Sequence, residues 1–453
     1  MPFGALTFVL HGVIAMASLV AAAFPHAKVL ENAPPGINYK IPKGTHPWTS
    51  TKFTRPSQNI QKIHGFTGTK NTNARSVAAV LGAHQRQVGG FGYENVTAAN
   101  AFGTQYGTEV LWNGFRTLLL LDTGSSDTWA VPQSFVCIDY SGQIVPQVAC
   151  QFGDPYPGDF STTDLVTPDQ HMYIQYGDGE VVTGPMGFSD ITLGNMTIKK
   201  QETCLANTTY WFGNNQTSGL MGLAFPSLTN AYLGLGEDHD PTNQVQYSPL
   251  FTSMVNQGKV PPLFSIAIDR NSSGGMIAWG GMPPTTGLDM SQMATMDMII
   301  TNLIDQPITA YQYSFYTIIP DGWHYGQKSA YEKYPYIVDS GTTLCYLPPD
   351  LADAISAAFQ PQAIYLWMYG GYFTSCDAIA PIVAVVLNGI RFFINTVDLI
   401  YRDMVDPLTG LCMTAIASGG TGPYILGDVF MQNALVVFDV GEAKMRFVPR
   451  EFY

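Results

Sequence analysis

The stretch Leu118-Leu119-Leu120-Leu121-Asp122-Thr123-Gly124-Ser125-Ser126-Asp127-Thr128-Trp129 has a counterpart, Tyr336-Ile337-Val338-Asp339-Ser340-Gly341-Thr342-Thr343-Leu344, whose Asp stands 217 residues further on. In each, an apolar run ends in Asp and is followed by a hydroxyl residue, Gly and another hydroxyl residue. An apolar run closed by turn residues predicts a buried strand, and Gly permits a tight turn directly after it. Each copy therefore presents one carboxylate at the end of a core strand, with hydroxyls beside it as hydrogen-bond partners. Two carboxylates brought face to face cannot both ionise easily, because like charges about 3 Å apart raise one pKa and leave the other low. One then acts as base while the other holds a proton, a pairing suited to activating water and protonating a leaving amine.

A second echo follows each Asp unit by roughly a hundred residues: Ser218-Gly-Leu-Met-Gly-Leu-Ala-Phe225 and Tyr424-Ile-Leu-Gly-Asp-Val-Phe430. Each places two apolar residues before a Gly. Repetition of the whole block predicts an internal duplication, with the boundary between halves near 283–290, after the Gly-rich turns Ser272-Ser-Gly-Gly275 and Trp279-Gly-Gly-Met-Pro-Pro284. Gln105–Trp112 reads as an early strand. His171-Met-Tyr-Ile-Gln-Tyr176-Gly177-Asp178-Gly179-Glu180-Val-Val-Thr-Gly184 reads as strand, Gly-bracketed turn and strand, a hairpin. Taken alone, Tyr176 at its tip is a packing residue and Asp178 a turn cap. Asp350–Phe359 is the best helix candidate, with Asp350 as its N-cap.

The chain has 453 residues, enough for two sizeable lobes, with 46% hydrophobic and only 12% charged residues, 45 Gly and 30 Pro. Abundant Gly, Thr, Tyr and Phe over scarce Lys and Glu favours strands. A net charge of −13 argues against nucleic acid as a partner. Residues 1–23 are apolar and end in Ala21-Ala22-Ala23, predicting a cleaved signal peptide, and no stable membrane anchor is expected. Residues 24–90 hold nine Lys/Arg against one acidic residue, Glu31, a balance of +8 on a body that carries −21. Such a leader is held electrostatically at neutral pH and released as carboxylates protonate in acid.

On both Asp units, Trp129, the Tyr176-Gly-Asp-Gly hairpin, Gly219-Leu-Met-Gly222, Leu263-Phe-Ser-Ile266, Ile425-Leu-Gly-Asp-Val-Phe430 and Val437-Phe-Asp-Val-Gly441, the chain resembles the pepsin-like aspartic endopeptidases of the secreted fungal type, from about Tyr106 to Pro449. The resemblance implies an all-β, bilobal fold of two duplicated β-barrel-like lobes, 91–283 and 284–453, with a peptide cleft between them. It implies that Asp122 and Asp339 share a proton and hold the attacking water. Ser125 and Thr342 hydrogen-bond the outer carboxylate oxygens, and Gly124 and Gly341 let the backbones approach. Tyr176, with Gly177 and Asp178, belongs to a flap that closes over substrate; Trp129 is the hydrogen-bond partner of Tyr176, and Asp178 contacts substrate backbone. The family cleft prefers large apolar residues on both sides of the cut. Two departures stand out. Glu180 replaces a frequent Ser on the flap, reading either as a solvated charge or as a selector of basic substrate residues. Trp112-Asn-Gly-Phe115 departs from the usual Gly-x-Pro pattern.

Six Cys in a secreted chain invite disulfides. Cys137–Cys150 closes a short loop, Cys376–Cys412 fits the family's second-lobe loop, and Cys204 and Cys345 either pair or remain buried thiols. Sequons at Asn95, Asn195, Asn207, Asn215 and Asn271 are candidate glycosylation sites. No metal site or cofactor is expected. The reading is an acid endopeptidase made as a monomeric zymogen, acting on polypeptides, inhibited by its own leader and secreted, with a vacuolar destination as the variant. The alternative is a catalytically inactive peptide-binding or inhibitory protein on the same scaffold.

Overall fold

The computed structural model describes residues 92–98, 105–166, 170–234, 239, 241–270, 274–300 and 313–451. The expected signal peptide, the basic leader and Asn271 lie outside the described residues.

Strands dominate, and the two Asp units sit in matching arrangements. In the first half, Tyr106–Trp112 and Phe115–Asp122 form an antiparallel hairpin in which Trp112 faces Phe115. Its two-residue turn is Asn113 (φ 47°) and Gly114 (φ 90°). Positive φ at both central residues matches the right-handed twist of the strands, so the departure from Gly-x-Pro is a turn of different chemistry in the same place. Phe115–Asp122 then pairs in parallel with Gly219–Gly222, placing Gly222 beside Asp122. Gly219–Gly222 pairs on its other edge, antiparallel, with Thr128–Ala130. In the second half Tyr336–Val338 pairs in parallel with Tyr424–Leu426, and Cys345–Leu347 lies antiparallel on the far edge. Each echoed apolar-apolar-Gly segment is thus the strand threaded between the two arms of an Asp corner. No side chain fits at its Gly: a Cβ on Gly427 would lie 2.3 Å from the Thr342 and Leu344 carbonyl oxygens.

The halves meet in an antiparallel sheet. Gly92–Ala98, Gly275–Trp279, Leu263–Ile268, Ala434–Asp439, Lys444–Pro449 and Ala294–Asp297 follow one another across it. Its central strands Leu263–Ile268 and Ala434–Asp439 are buried along their whole length, which explains why neither alternates apolar with polar residues, Ser265 and Asp439 being their only polar members. The 283/284 division falls between Gly275–Trp279 and Ala294–Asp297 within this sheet. Leu119, Leu121, Met221, Val338, Leu426 and Phe438 belong to one continuous buried cluster, so the same core supports both Asp corners.

The helix runs Pro349–Ser356, and its cap corrects the expectation. Pro348 is the N-cap, Pro349 opens the first turn, and Asp350 lies inside that turn. Proline's fixed φ suits the first helical position, where its missing N–H is not needed, so the two prolines place the cap two residues early. Both expected disulfides, Cys137–Cys150 and Cys376–Cys412, are formed. Cys204 and Cys345 are unpaired and buried, in different halves of the chain. Asn195, Asn207 and Asn215 are exposed, and Asn95 lies in Gly92–Ala98.

Candidate active site

The two Asp corners bring their carboxylates together at the centre of the molecule, Asp122 and Asp339 both buried. Each is held by its own turn in the same way. The Gly124 N–H donates to Asp122 Oδ1 at 2.6 Å, and the Ser125 hydroxyl donates to Asp122 Oδ2. The Gly341 N–H donates to Asp339 Oδ1 at 2.8 Å, and Thr342 Oγ1 donates to Asp339 Oδ2 at 2.7 Å. The structure thus brings Gly124, Ser125, Gly341 and Thr342 against the two carboxylates. The glycines are required by the other Asp rather than by their own: a Cβ on Gly124 would lie 2.5 Å from Asp339 Oδ2, and one on Gly341 would lie 2.5 Å from Asp122 Oδ1.

Burial pushes the Asp122 carboxyl well above the usual carboxylate range, and the Asp339 charge adds to it. The donors Ser125 and Gly124 pull in the opposite direction and do not overcome it.

Two residues that the sequence reading left without roles lock the corners together. The Thr123 hydroxyl donates to the Val338 carbonyl at 3.0 Å and accepts the Ser340 N–H at 3.0 Å. Reciprocally, the Ser340 hydroxyl donates to the Leu121 carbonyl at 2.9 Å and accepts the Thr123 N–H at 3.2 Å. The signal was present: both units carry a hydroxyl residue directly after Asp. What that hydroxyl binds lies across the molecule and is not visible along the chain.

Above the pair, Gln170–Gln175 and Val181–Leu193 form the expected hairpin. Tyr176, Gly177 and Asp178 occupy its half-buried turn. Trp129 Nε1 donates to the Tyr176 hydroxyl at 2.8 Å. Trp211, which no motif marked, packs edge-on against both Trp129 (5.0 Å between ring centroids) and Tyr176 (5.5 Å), with Phe152 stacked on it. Burial, followed by the charge of Asp122, raises the Tyr176 hydroxyl well above its ordinary value, so it remains a neutral donor.

Glu180 overturns both sequence expectations. It is only 5% exposed, and its Oε1 accepts the Phe212 N–H at 2.5 Å. It is neither a solvated charge nor a carboxylate offered to a basic substrate residue, because its side chain is turned in against the irregular segment that follows the strand Thr208–Tyr210.

A family model for Eukaryotic aspartyl protease matches residues 113–450. The chain is 35% identical over 451 residues to a Probable aspartic-type endopeptidase of Aspergillus fumigatus, covering 96% of each chain. It is 27% identical to Penicillopepsin-3 of Penicillium janthinellum over 413 residues, 89% of this chain and 94% of that one. With Gastricsin of Rattus norvegicus the figures are 28% over 340 residues, 72% and 76%. The crystal structure of an aspartic proteinase from Irpex lacteus superposes with a TM-score of 0.59 at 18% identity, covering 80% of this chain and 98% of that one, which shows the shared bilobal β fold.

Proposed function

The chain belongs to the eukaryotic aspartyl protease family, hydrolases of the aspartic endopeptidase type, and from that premise we propose that Asp122 and Asp339 are its catalytic pair. The observation that carries the proposal is the reciprocal approach of the two corners, each glycine leaving room only for the opposite carboxylate. A water held between the carboxylates loses its proton to one of them as it attacks the scissile carbonyl. The proton on the other polarises that carbonyl and is passed on to the departing amine. The pair titrates as a unit, so acid and base are roles of the dyad. Ser125, Thr342 and the Gly124 and Gly341 N–H groups orient the outer oxygens. Tyr176, braced by Trp129, covers the bound peptide and excludes water, while Asp178 takes up substrate backbone.

The substrates are polypeptides with large apolar residues flanking the cut. Residues 1–23 direct the chain to secretion, 24–90 inhibit it until acid weakens their attraction to an acidic body, and 91–283 and 284–453 are the two lobes. The protein acts as a monomer, and the exposed Asn195, Asn207 and Asn215 are its candidate glycan carriers.

The test is an acid shift of purified precursor, wild type beside Asp122→Asn, from neutral pH to about pH 4, where a carboxylate pair sharing a proton works. Chain length and cleavage of a quenched peptide with apolar residues at the cut are followed together. Shortening to a start near residue 91, with cleavage in the wild type only, is the expected result. A wild type that cleaves no peptide across the acid range overturns the peptidase reading and leaves a peptide-binding protein.

A further inference from the structure

The flap contains a second pair of acids. The Glu180 N–H donates to Asp178 Oδ1 at 3.0 Å, and the Glu180 side chain is folded inward, where its Oε1 accepts from the Phe212 N–H. The Glu180 carboxyl is thus buried two residues from Asp178 in the same turn, within reach of the Asp178 charge. Two carboxyls can share a hydrogen bond only while one of them holds a proton, since ionised carboxylates are acceptors alone. We propose that Glu180 is a positioning residue whose carboxylic proton bonds the Asp178 carboxylate and so latches the flap turn, giving substrate binding a pH dependence separate from that of the Asp122–Asp339 pair.

The surroundings favour Glu180 as the proton carrier. Burial raises its carboxyl well above the usual range, and the charge of Asp178 raises it further. Asp178 is also raised by burial, but the hydrogen bonds from Glu180 lower it. The titratable groups facing the pair come from several elements: Tyr176 on the same turn, Tyr210 on the neighbouring strand and Tyr346 from the second half of the chain. The charges of Asp122 and Asp127 act on Tyr176, and the charge of Asp139 on Tyr210. Among the described residues no lysine, arginine or histidine contributes to the shift of either acid. Loss of the Glu180 proton therefore places two anions in one tight turn with no cation from the described residues beside them. The repulsion is relieved by the turn opening, which carries Tyr176 and Asp178 away from the cleft.

The sign follows. A carboxyl whose folded-state pKa is raised binds its proton more tightly in the latched form, so the latch is complete below the ordinary value of 4.5 and weakens as pH rises through the raised one. Glu180→Gln keeps an oxygen for the Phe212 N–H and an amide donor for Asp178 at every pH, imitating the protonated acid.

Two measurements on the full chain test this, and only the second rests on the peptidase reading. Hydrogen exchange of the 172–183 segment, corrected for intrinsic pH dependence, is expected to accelerate several-fold in the wild type between pH 4 and pH 7, as the raised Glu180 carboxyl ionises. It should stay level in Glu180→Gln and in Asp178→Asn, which removes the other anion. KM for the quenched peptide should rise over the same range in the wild type and flatten in Glu180→Gln, while the kcat profile keeps its midpoint. Level exchange in the wild type, or Glu180→Gln tracking the wild type, overturns the latch. Peptide cleavage with superimposed KM profiles overturns the latch and leaves the peptidase standing. Absence of cleavage with pH-dependent exchange abolished by Glu180→Gln does the reverse.

Discussion

Gly124 and Asp339, 215 residues apart in the chain, stand so close that a single methyl on Gly124 would lie 2.5 Å from the Asp339 Oδ2. The same relation holds in mirror form between Gly341 and Asp122. Each motif glycine is thus required by the partner motif, which is why the Asp-x-Gly unit occurs twice or is useless.

Gly124→Ala is expected to lose about a hundredfold in kcat/KM, the penalty for moving a reacting group by about 1 Å. Because the methyl strikes the far end of a side chain, the protein should still fold. Peptide kinetics and a thermal melt check this together; full activity would show that the carboxylates have more room than the structure allows.

Thr123→Val keeps shape but deletes the hydroxyl that donates to the Val338 carbonyl and accepts the Ser340 N–H. That N–H is left buried without a partner, a loss of about 1–3 kcal/mol. Urea unfolding reads it, and Thr123→Ser should restore most of the difference. A neutral Thr123→Val would mean that the corners are held by packing alone.

Asp428 is buried, and neither carboxyl oxygen has a hydrogen-bond partner among the described residues. Burial first, then the charges of Asp339 and Asp122, raise its carboxyl well above the ordinary 3.8. Its folded form holds the proton more tightly than the unfolded chain does. Stability from this group is therefore complete below 3.8 and falls as pH rises through the raised value. Asp428→Asn has no proton to lose, so its urea midpoint should gain on the wild type between pH 3.5 and pH 7, a window chosen to span about three pH units above the unfolded value. A constant offset would contradict the shift.

Cys204 and Cys345 are both buried and unpaired. Burial pushes the Cys345 thiol up to about 12 and raises Cys204 well above its ordinary value, so neither is a thiolate near neutrality. A thiol reagent should label neither in the folded protein and both in denaturant without reductant, while Cys137, Cys150, Cys376 and Cys412 stay silent. Rapid labelling of the native chain would place one of them nearer the surface.

Periodicity and duplication carried most of the architecture. An apolar run ending in Asp-x-Gly must be a core strand meeting a turn, and its repetition with a second apolar-apolar-Gly block anticipated two matching corners. The hydroxyls of Ser125 and Thr342 were legible because they lie three residues from the carboxylates they hold. Contacts that join distant segments were not. The Thr123–Ser340 lock, Trp211 against Tyr176, and the single sheet uniting Leu263–Ile268 with Ala434–Asp439 depend on which surfaces meet after folding. Glu180 shows the difference most plainly: along the chain a Glu beside a Gly-rich turn is a surface charge. Only the tertiary structure turns that carboxyl inward onto the Phe212 N–H, where burial raises it well above the usual carboxylate range.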